Sequence, residues 1–302
     1  MARAVVRIGA IDIGTNTVRL LVAETTDDGI DDVERAVEIV GLGRGVDATG
    51  RLDPERVEQA LAVLRGYAAR LDAHCAERVR GVATSATRDA ENGPEFLERA
   101  VEALGYRVDV ITGIEEAGLA FGGAIRGLPI TTTLVIDPGG GSTEFVLGGD
   151  APEYSVSIDI GSVRLTERLL PERPTTPDRT AAVSLEVAEM FGLVRLPAEP
   201  DRVIGVAGTF TSLAAISLGL DAYDAEVVHG SALTLEEMDR LVAHLSTLTV
   251  EETAAIPSLD PRRAPVLLAG AVIAREAIRV SGRHETMVSE HDILDGIVLG
   301  LA

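Results

Sequence analysis

The sequence predicts an α/β protein built as two related lobes, and three observations carry that expectation. Apolar stretches of strand character alternate with amphipathic helical stretches, a pattern that favours layered α/β architecture. At 302 residues the chain is long enough for two domains, each with its own core. A pattern near the N-terminus, Ile11-Asp12-Ile13-Gly14-Thr15-Asn16-Thr17, is echoed by Ile136-Asp137-Pro138-Gly139-Gly140-Gly141-Ser142, each flanked by apolar strands. Aligning Asp12 with Asp137 places Gly14 on Gly139. Two such hairpins predict two lobes, 1–124 and 125–302, each offering a polar turn to a shared cleft. The terminal helix, about 290–302, is expected to pack back on the first lobe.

The elements follow in order. The segment Ala4–Ala23 reads as two strands around the first turn, with a third strand near Glu34–Val40. Asp53 is a helix N-cap and Pro54 the first helical residue, after which Val57, Leu61, Leu64, Ala68 and Leu71 keep helical spacing. A second helix spans Pro94–Leu104, stopped by Gly105, and the strand Arg107–Ile111 comes next. In the second lobe, strands near Ser155–Asp159 and Val203–Val206 each precede a helix. Thr234-Leu235-Glu236-Glu237 fits a capping box. A long apolar helix is expected over Arg263–Val280 and a terminal one over Asp292–Leu301, while Pro171–Pro177 reads as an extended loop.

Composition narrows the function classes. Hydrophobic residues at 46% and charged residues at 25% exclude a disordered chain. No apolar run reaches the roughly 18–20 residues of a membrane span. Met1–Arg7 is basic but leads into a Gly/Asp turn rather than a small-residue cleavage site, so no secretory leader is expected. One cysteine, Cys75, rules out an intrachain disulfide framework and a multi-cysteine metal cage. The expected address is the cytoplasm. A net charge of −21 argues against nucleic-acid binding, which calls for a basic face. All 27 basic residues are arginine, so a Walker A loop, which needs lysine, is excluded. Genomic base composition explains the missing lysine, but the consequence stands: phosphate must be held by backbone amides, arginines and metal.

The strongest chemical signal is Asp137-Pro138-Gly139-Gly140-Gly141-Ser142-Thr143-Glu144. Three glycines let amides approach an anion with no Cβ in the way, and Ser142 and Thr143 add hydroxyls. Asp137 and Glu144 flank the turn as two hard carboxylates suited to Mg²⁺, or read blandly as acids at the ends of a hairpin. In the first hairpin Thr15, Asn16 and Thr17 can donate to phosphate, and Arg19 shares a strand face with Thr17; a plain turn with a surface arginine is the alternative. The polar segment Thr84–Asn92 follows a short strand, where α/β proteins place ligands. Its Arg88 either clamps a phosphate or pairs with Asp89 or Glu91. Glu115 and Glu116 open a helix, favoured there by its dipole in any case, and one of them can serve as general base. Gly205–Ser212 is a further strand–glycine–helix junction, in which Gly208 and Thr209 either face an anion or Thr209 simply caps the helix. His74, His229, His244, His284 and His291 show no metal-ligand spacing, and neither they nor Cys75 are assigned a role.

Taken together, these segments resemble the exopolyphosphatase and guanosine pentaphosphate phosphohydrolase (Ppx/GppA) family. The resemblance runs in order from Asp12–Leu20 through Thr84–Asn92, Ile111–Ala117, Asp137–Glu144, Gly161–Glu167 and Gly205–Ser212 to Ser289–Gly296, close to the short, two-domain actinobacterial members. It implies the duplicated actin-like fold shared with sugar kinases and Hsp70. It also implies that Glu116 is the water-activating base and that Asp137 and Glu144, with Asp12, are metal-associated acids. Asn16, Arg88, Gly139, Gly140, Ser142 and Ser162 match phosphate-contacting positions, beside Thr17, Arg19, Gly141, Thr143, Gly208 and Thr209 from the residue reading. Ser162 stands where some members have cysteine, and Pro138 departs from the commoner Asp-Ile-Gly or Asp-Leu-Gly. The expected activity is hydrolysis of terminal phosphate from inorganic polyphosphate with Mg²⁺, or Mn²⁺. Short chains are favoured because the helical C-terminal domains of long members are missing. Guanosine pentaphosphate 5′-phosphohydrolase is the alternative within the enzyme class, ahead of an ATP-using kinase. A non-catalytic polyphosphate or alarmone sensor is the alternative outside it. A homodimer is expected from the family and from the apolar C-terminal helices.

Overall fold

In the computed structural model, which describes residues 5–26 and 29–302, the N-terminal apolar stretch forms β1 (Arg7–Ile13), antiparallel to β2 (Thr17–Thr26). The strand start expected at Ala4 lies outside the described residues, as does most of the basic N-terminal segment. β3 (Gly29–Ile39) continues the antiparallel run and is longer than the sequence suggested. After α1 (Val46–Thr49), α2 (Pro54–Ala73) begins where expected, with Asp53 accepting from the amides of Glu55 and Arg56. β4 (Arg78–Ala83) lies parallel to β1 and is followed by α3 (Ser85–Asp89) and α4 (Gly93–Leu104). β5 (Val108–Val110) pairs parallel with β4, and α5 (Gly113–Ala124) follows. Period-two alternation sends Ile11 and Ile13 of β1 into the core under α2 and α4, while Ile8 and Ala10 face the opposite side.

The second sheet is built from β6 (Thr133–Pro138), β7 (Thr143–Gly148) and β8 (Pro152–Ile158). The helices α6 (Ser162–Leu169) and α7 (Pro177–Phe191) precede β9 (Arg202–Gly205) and α8 (Ala207–Ser217). Next come α9 (Ala225–Val228), β10 (Ala232–Thr234), α10 (Leu235–Thr247), α11 (Val250–Ala254), α12 (Ala264–Val280) and β11 (Glu285–Val288). The reciprocal capping box at Thr234 and Glu237 opens α10. The last helix is α13 (Ile293–Leu301).

The chain divides into Met1–Gly123 with Ile293–Ala302, and Ala124–Asp292, so α13 belongs to the first unit. The sheet orders are β3-β2-β1-β4-β5 and β10-β11-β9-β6-β7-β8. Traversed from the other edge, the second reads β8-β7-β6-β9-β11, the order of the first with β10 added. The senses agree as well: two antiparallel pairings and then two parallel ones. The motif echo is thus a repeated five-stranded unit. One expectation loses its basis. The apolar side chains of α12 fill the second core and those of α13 the first, so their apolarity marks no dimer surface. Among the described residues no helix is long and apolar enough to cross a membrane.

Candidate active site

Both hairpins close their turns with the same bond. Gly14 N–H donates to Thr17 O at 2.8 Å in the first, and Gly139 N–H to Ser142 O at 2.9 Å in the second. Both aspartates face the residue seven positions on, across the strand pair: Asp12 opposes Arg19 and Asp137 opposes Glu144. The charge at that partner separates the two turns.

In the first unit, Arg19 Nε and Nη2 donate to Asp12 Oδ2 at 2.9 and 2.7 Å, with both side chains mostly buried. Asp12 and Arg19, expected to act on metal and phosphate, thus also form an ion pair with each other. The turn itself is held from outside: Asn16 O accepts from Val40 and Gly41, and Thr15 O from Gly43. Gly43 must be glycine, because a Cβ there would lie 2.3 Å from Thr15 Cγ2. Thr15 Oγ1 also bonds Ser85 Oγ at 2.8 Å, tying the turn to α3. Among the described residues no hydrogen bond reaches the Asn16 carboxamide or the Thr17 hydroxyl, and Asn16 Oδ1 is shut off from solvent. A buried polar atom without a partner is unfavourable by about 1–3 kcal/mol, which a ligand can relieve.

Arg88 donates through Nη1 to Ile111 O at 3.0 Å, lies 3.8 Å from Glu116 Oε2, and stands 3.7 Å from Asp89. The two acids of the glutamate pair part company. Glu115 is exposed and bonds Arg80 at 2.9 Å, whereas the Glu116 side chain is largely buried beside Arg88. Thr87 Oγ1 is also buried without a partner, a feature the sequence gave no reason to single out.

In the second unit, α6 docks its N-terminus onto the glycine turn. Ser162 N–H donates to Gly139 O, and the amides of Val163 and Arg164 to Gly140 O, at 2.9, 2.9 and 3.3 Å. Gly161 makes this possible, since a Cβ there would lie 2.3–2.4 Å from backbone atoms of Gly140 and Gly141. With the Gly139 and Gly140 carbonyls held from that side, the N–H groups of Gly140, Gly141 and Ser142 have no acceptor among the described residues. Successive free amides of this kind form an anion-binding nest. The Ser162 hydroxyl lies 3.3 Å from Gly139 O and buttresses the turn. Thr143 is fully buried and donates to Ile160 O at 2.6 Å, so its hydroxyl is already committed.

Asp137 and Glu144 are 7% and 1% exposed. Directly opposed, they project from one face of the sheet. Ser157, across on β8, fixes Glu144 through a 2.7 Å bond to Oε1. Among the described residues no group of three His, Cys, Asp or Glu could hold a metal. A pair of carboxylates suits Mg²⁺, which keeps several waters and binds substrate phosphate.

The α8 junction differs from the expectation. The helix starts at Ala207, with φ at +65° and Val206 at the N-cap position, so Thr209 is no cap; its Oγ1 lies 3.3 Å from Pro138 O. Left-handed backbone at a non-glycine residue is unfavourable by about 1–2 kcal/mol. A Cβ on Gly208 would overlap the Arg263 guanidinium, which therefore lies directly over this helix start. Gly270 of α12 packs against Thr209 and Ser162, bringing the starts of α8 and α6 to one place beside the turn. Arg263 was missed as a site residue. The available signal was a cation at the start of a helix, where the dipole disfavours it. Beside Thr211 of α8, partial burial and then the Glu290 carboxylate push the Tyr223 hydroxyl above the usual tyrosine range. It thus remains a donor to Glu290.

A repeated five-stranded unit with one acidic glycine turn in each copy, one of them presenting free amides beside paired carboxylates, defines a phosphate-handling protein of the actin-like class. The chain belongs to the Ppx/GppA phosphatase family, whose model matches residues 21–302, and is accordingly a phosphatase. It is 42% identical over 320 residues to Exopolyphosphatase 2 of Mycobacterium tuberculosis, covering 99% of both chains. The crystal structure of an exopolyphosphatase-like protein matches with a TM-score of 0.94 at 36% identity, covering 99% of this chain and 98% of that one. The Aquifex aeolicus Ppx/GppA family member matches with a TM-score of 0.84 at 33% identity, covering 98% and 97%.

Proposed function

We propose that the protein is a cytoplasmic exopolyphosphatase that removes the terminal phosphate of inorganic polyphosphate, with short chains preferred. The observation that carries this reading is the set of free amides on Gly140, Gly141 and Ser142 beside the opposed pair Asp137 and Glu144. The name of the M. tuberculosis relative supports the choice of substrate.

In this reading the terminal phosphate rests on those amides, and Asn16, Thr17 and Arg88 keep the phosphate-contacting role expected of them from the sequence. Asp137 and Glu144 would hold Mg²⁺ or Mn²⁺, which when bound neutralises phosphate charge. Glu116 orients a water in line with the terminal phosphorus and takes its proton as the new P–O bond forms. The bridging P–O bond breaks, and the shortened chain leaves with that oxygen. Phosphoryl transfer needs little more than positioning and charge stabilisation, so one carboxylate in this role is sufficient. Arg88 stands 3.8 Å from the Glu116 carboxylate.

The test is phosphate release with Mg²⁺ from short-chain polyphosphate, long-chain polyphosphate and guanosine pentaphosphate in parallel. Release from short chains is expected. Release mainly from guanosine pentaphosphate would shift the assignment to that nucleotide, and none from any substrate would make the protein a sensor. Glu116→Gln should bind substrate and lose turnover; undiminished turnover would remove Glu116 from the mechanism. We further propose a homodimer on the family resemblance, with sedimentation expected to give twice 31.7 kDa.

A further inference from the structure

Arg35 stands on the edge strand β3 and belongs to none of the groups described above, yet it holds a carboxylate that is 0% exposed. Its Nη2 donates to Oδ1 and Oδ2 of Asp295 at 3.1 and 3.0 Å. Asp295 lies in the first turn of α13. The next residue, Gly296, sits directly against α5: a Cβ there would fall 2.0 Å from Leu119 O and 2.7 Å from its carbonyl carbon. Leu119 follows Glu116 by three residues, on the neighbouring turn of the same helix. Around this contact Ile293, Leu294, Ile297 and Val298 of α13 share a core with Ala120 of α5 and with Ile8, Ala10 and Leu21 of the sheet.

We infer that Arg35 is a positioning residue for Glu116, acting through Asp295, α13 and the backbone contact of Gly296 with Leu119. The inference rests on Glu116 being the base. A buried carboxylate that loses an ion-pair partner is drawn towards water. That movement alters the seating of α13. Close-packed interiors pass such a displacement on rather than absorb it, and the backbone-to-backbone contact at Gly296 leaves no flexible side chain to take up the change. The first turn of α5 then shifts, and with it the carboxylate that must aim a water at phosphorus.

The test compares Arg35→Met, Arg35→Lys, Asp32→Asn and Glu116→Gln in steady-state phosphate release from the substrate that the wild-type protein hydrolyses. Arg35→Met should lower kcat by about 10- to 100-fold, the scale of a misplaced catalytic group, and leave KM within about twofold. Arg35→Lys, which keeps the cation but loses the second bond, should fall between Arg35→Met and wild type. Asp32→Asn removes only the exposed partner of Arg35 and should match wild type. A purely structural salt bridge would lower the melting temperature without this split between kcat and KM. Wild-type kcat in Arg35→Met, or a rise in KM alone, overturns the inference. Should Arg35→Met fail to fold, wild-type kcat in Arg35→Lys overturns it instead. An active Glu116→Gln overturns the base assignment and the inference with it. An inactive Glu116→Gln beside an unimpaired Arg35→Met overturns the inference alone.

Discussion

Substituting Gly161 by alanine tests whether the exact placement of the glycine turn governs turnover. Gly161 has φ at −137°, ordinary extended backbone, so a side chain adds no backbone strain. The obstacle is steric: the new Cβ would lie 2.3–2.4 Å from Gly140 C, Gly140 O and Gly141 N, where ordinary contact begins near 3.4 Å. All three are main-chain atoms, so either α6 or the turn must move by about 1 Å. Overpacking of this kind lowers stability by about 1–3 kcal/mol. An approximately 1 Å misplacement of the groups that seat the phosphate should lower kcat/KM by about 100-fold, or ~2.7 kcal/mol of transition-state stabilisation. Phosphate-release kinetics on Gly161→Ala, with urea unfolding on the same sample, measures both terms. Gly66→Ala in α2 is the control, because nothing lies within 4 Å of its Cβ position. It should raise stability by about 1 kcal/mol, the difference between glycine and alanine in a helix, with activity unchanged. A Gly161→Ala protein of wild-type kcat/KM would refute the idea that α6 and the turn form one rigid cradle.

Other perturbations reach the remaining parts of the structure. Ser157→Ala removes the bond to Glu144 Oε1 and should raise the Mg²⁺ concentration for half-maximal activity by about tenfold, and an unchanged Mg²⁺ titration would count against Glu144 as a ligand. Arg19→Met leaves Asp12 buried without its cation and should lower stability by about 3 kcal/mol, with Asp12→Asn/Arg19→Met recovering much of it. Lost activity at full stability in Arg19→Met would return Arg19 to a phosphate-binding role. Thr234→Ala removes the α10 cap and should lower stability by about 1 kcal/mol in urea unfolding at pH 7. The Thr234 amide, then its hydroxyl, hold the Glu237 carboxyl below its ordinary value of 4.5. That contribution is therefore complete above pH 4.5 and declines as pH falls through the lowered value, so the gap between wild type and Glu237→Gln should narrow in acid.

Punctuated elements were legible in the sequence. Asp53-Pro54 and Gly105 act locally, and the helices they bound begin and end where those residues direct. The hairpins were legible for the same reason, since glycine turns between apolar strands need no distant partner. β3 was recognised only from Glu34 onward, because an edge strand exposing Asp31, Asp32 and Val33 has the polarity of a loop. At the candidate site, residue types were readable and pairings were not. Glu115 and Glu116 are equivalent in local residue type; the family resemblance selects Glu116, and Arg80 and Arg88 on other elements set the two apart in the structure. The pairing of Arg19 with Asp12 follows from strand register, which residue types alone do not give. Ser157 and Arg263 gain their significance wholly from tertiary packing.

The repeated unit also bears on how one chain comes to have two unlike halves. A copied hairpin starts with two equivalent aspartates in equivalent pairings. Here the matching position on the return strand carries arginine in one copy and glutamate in the other. With arginine, the aspartate gains an ion-pair partner on its own hairpin. With glutamate, two acids face each other across the strand pair. One codon's difference on a returning strand is enough to give twin hairpins opposite local charge.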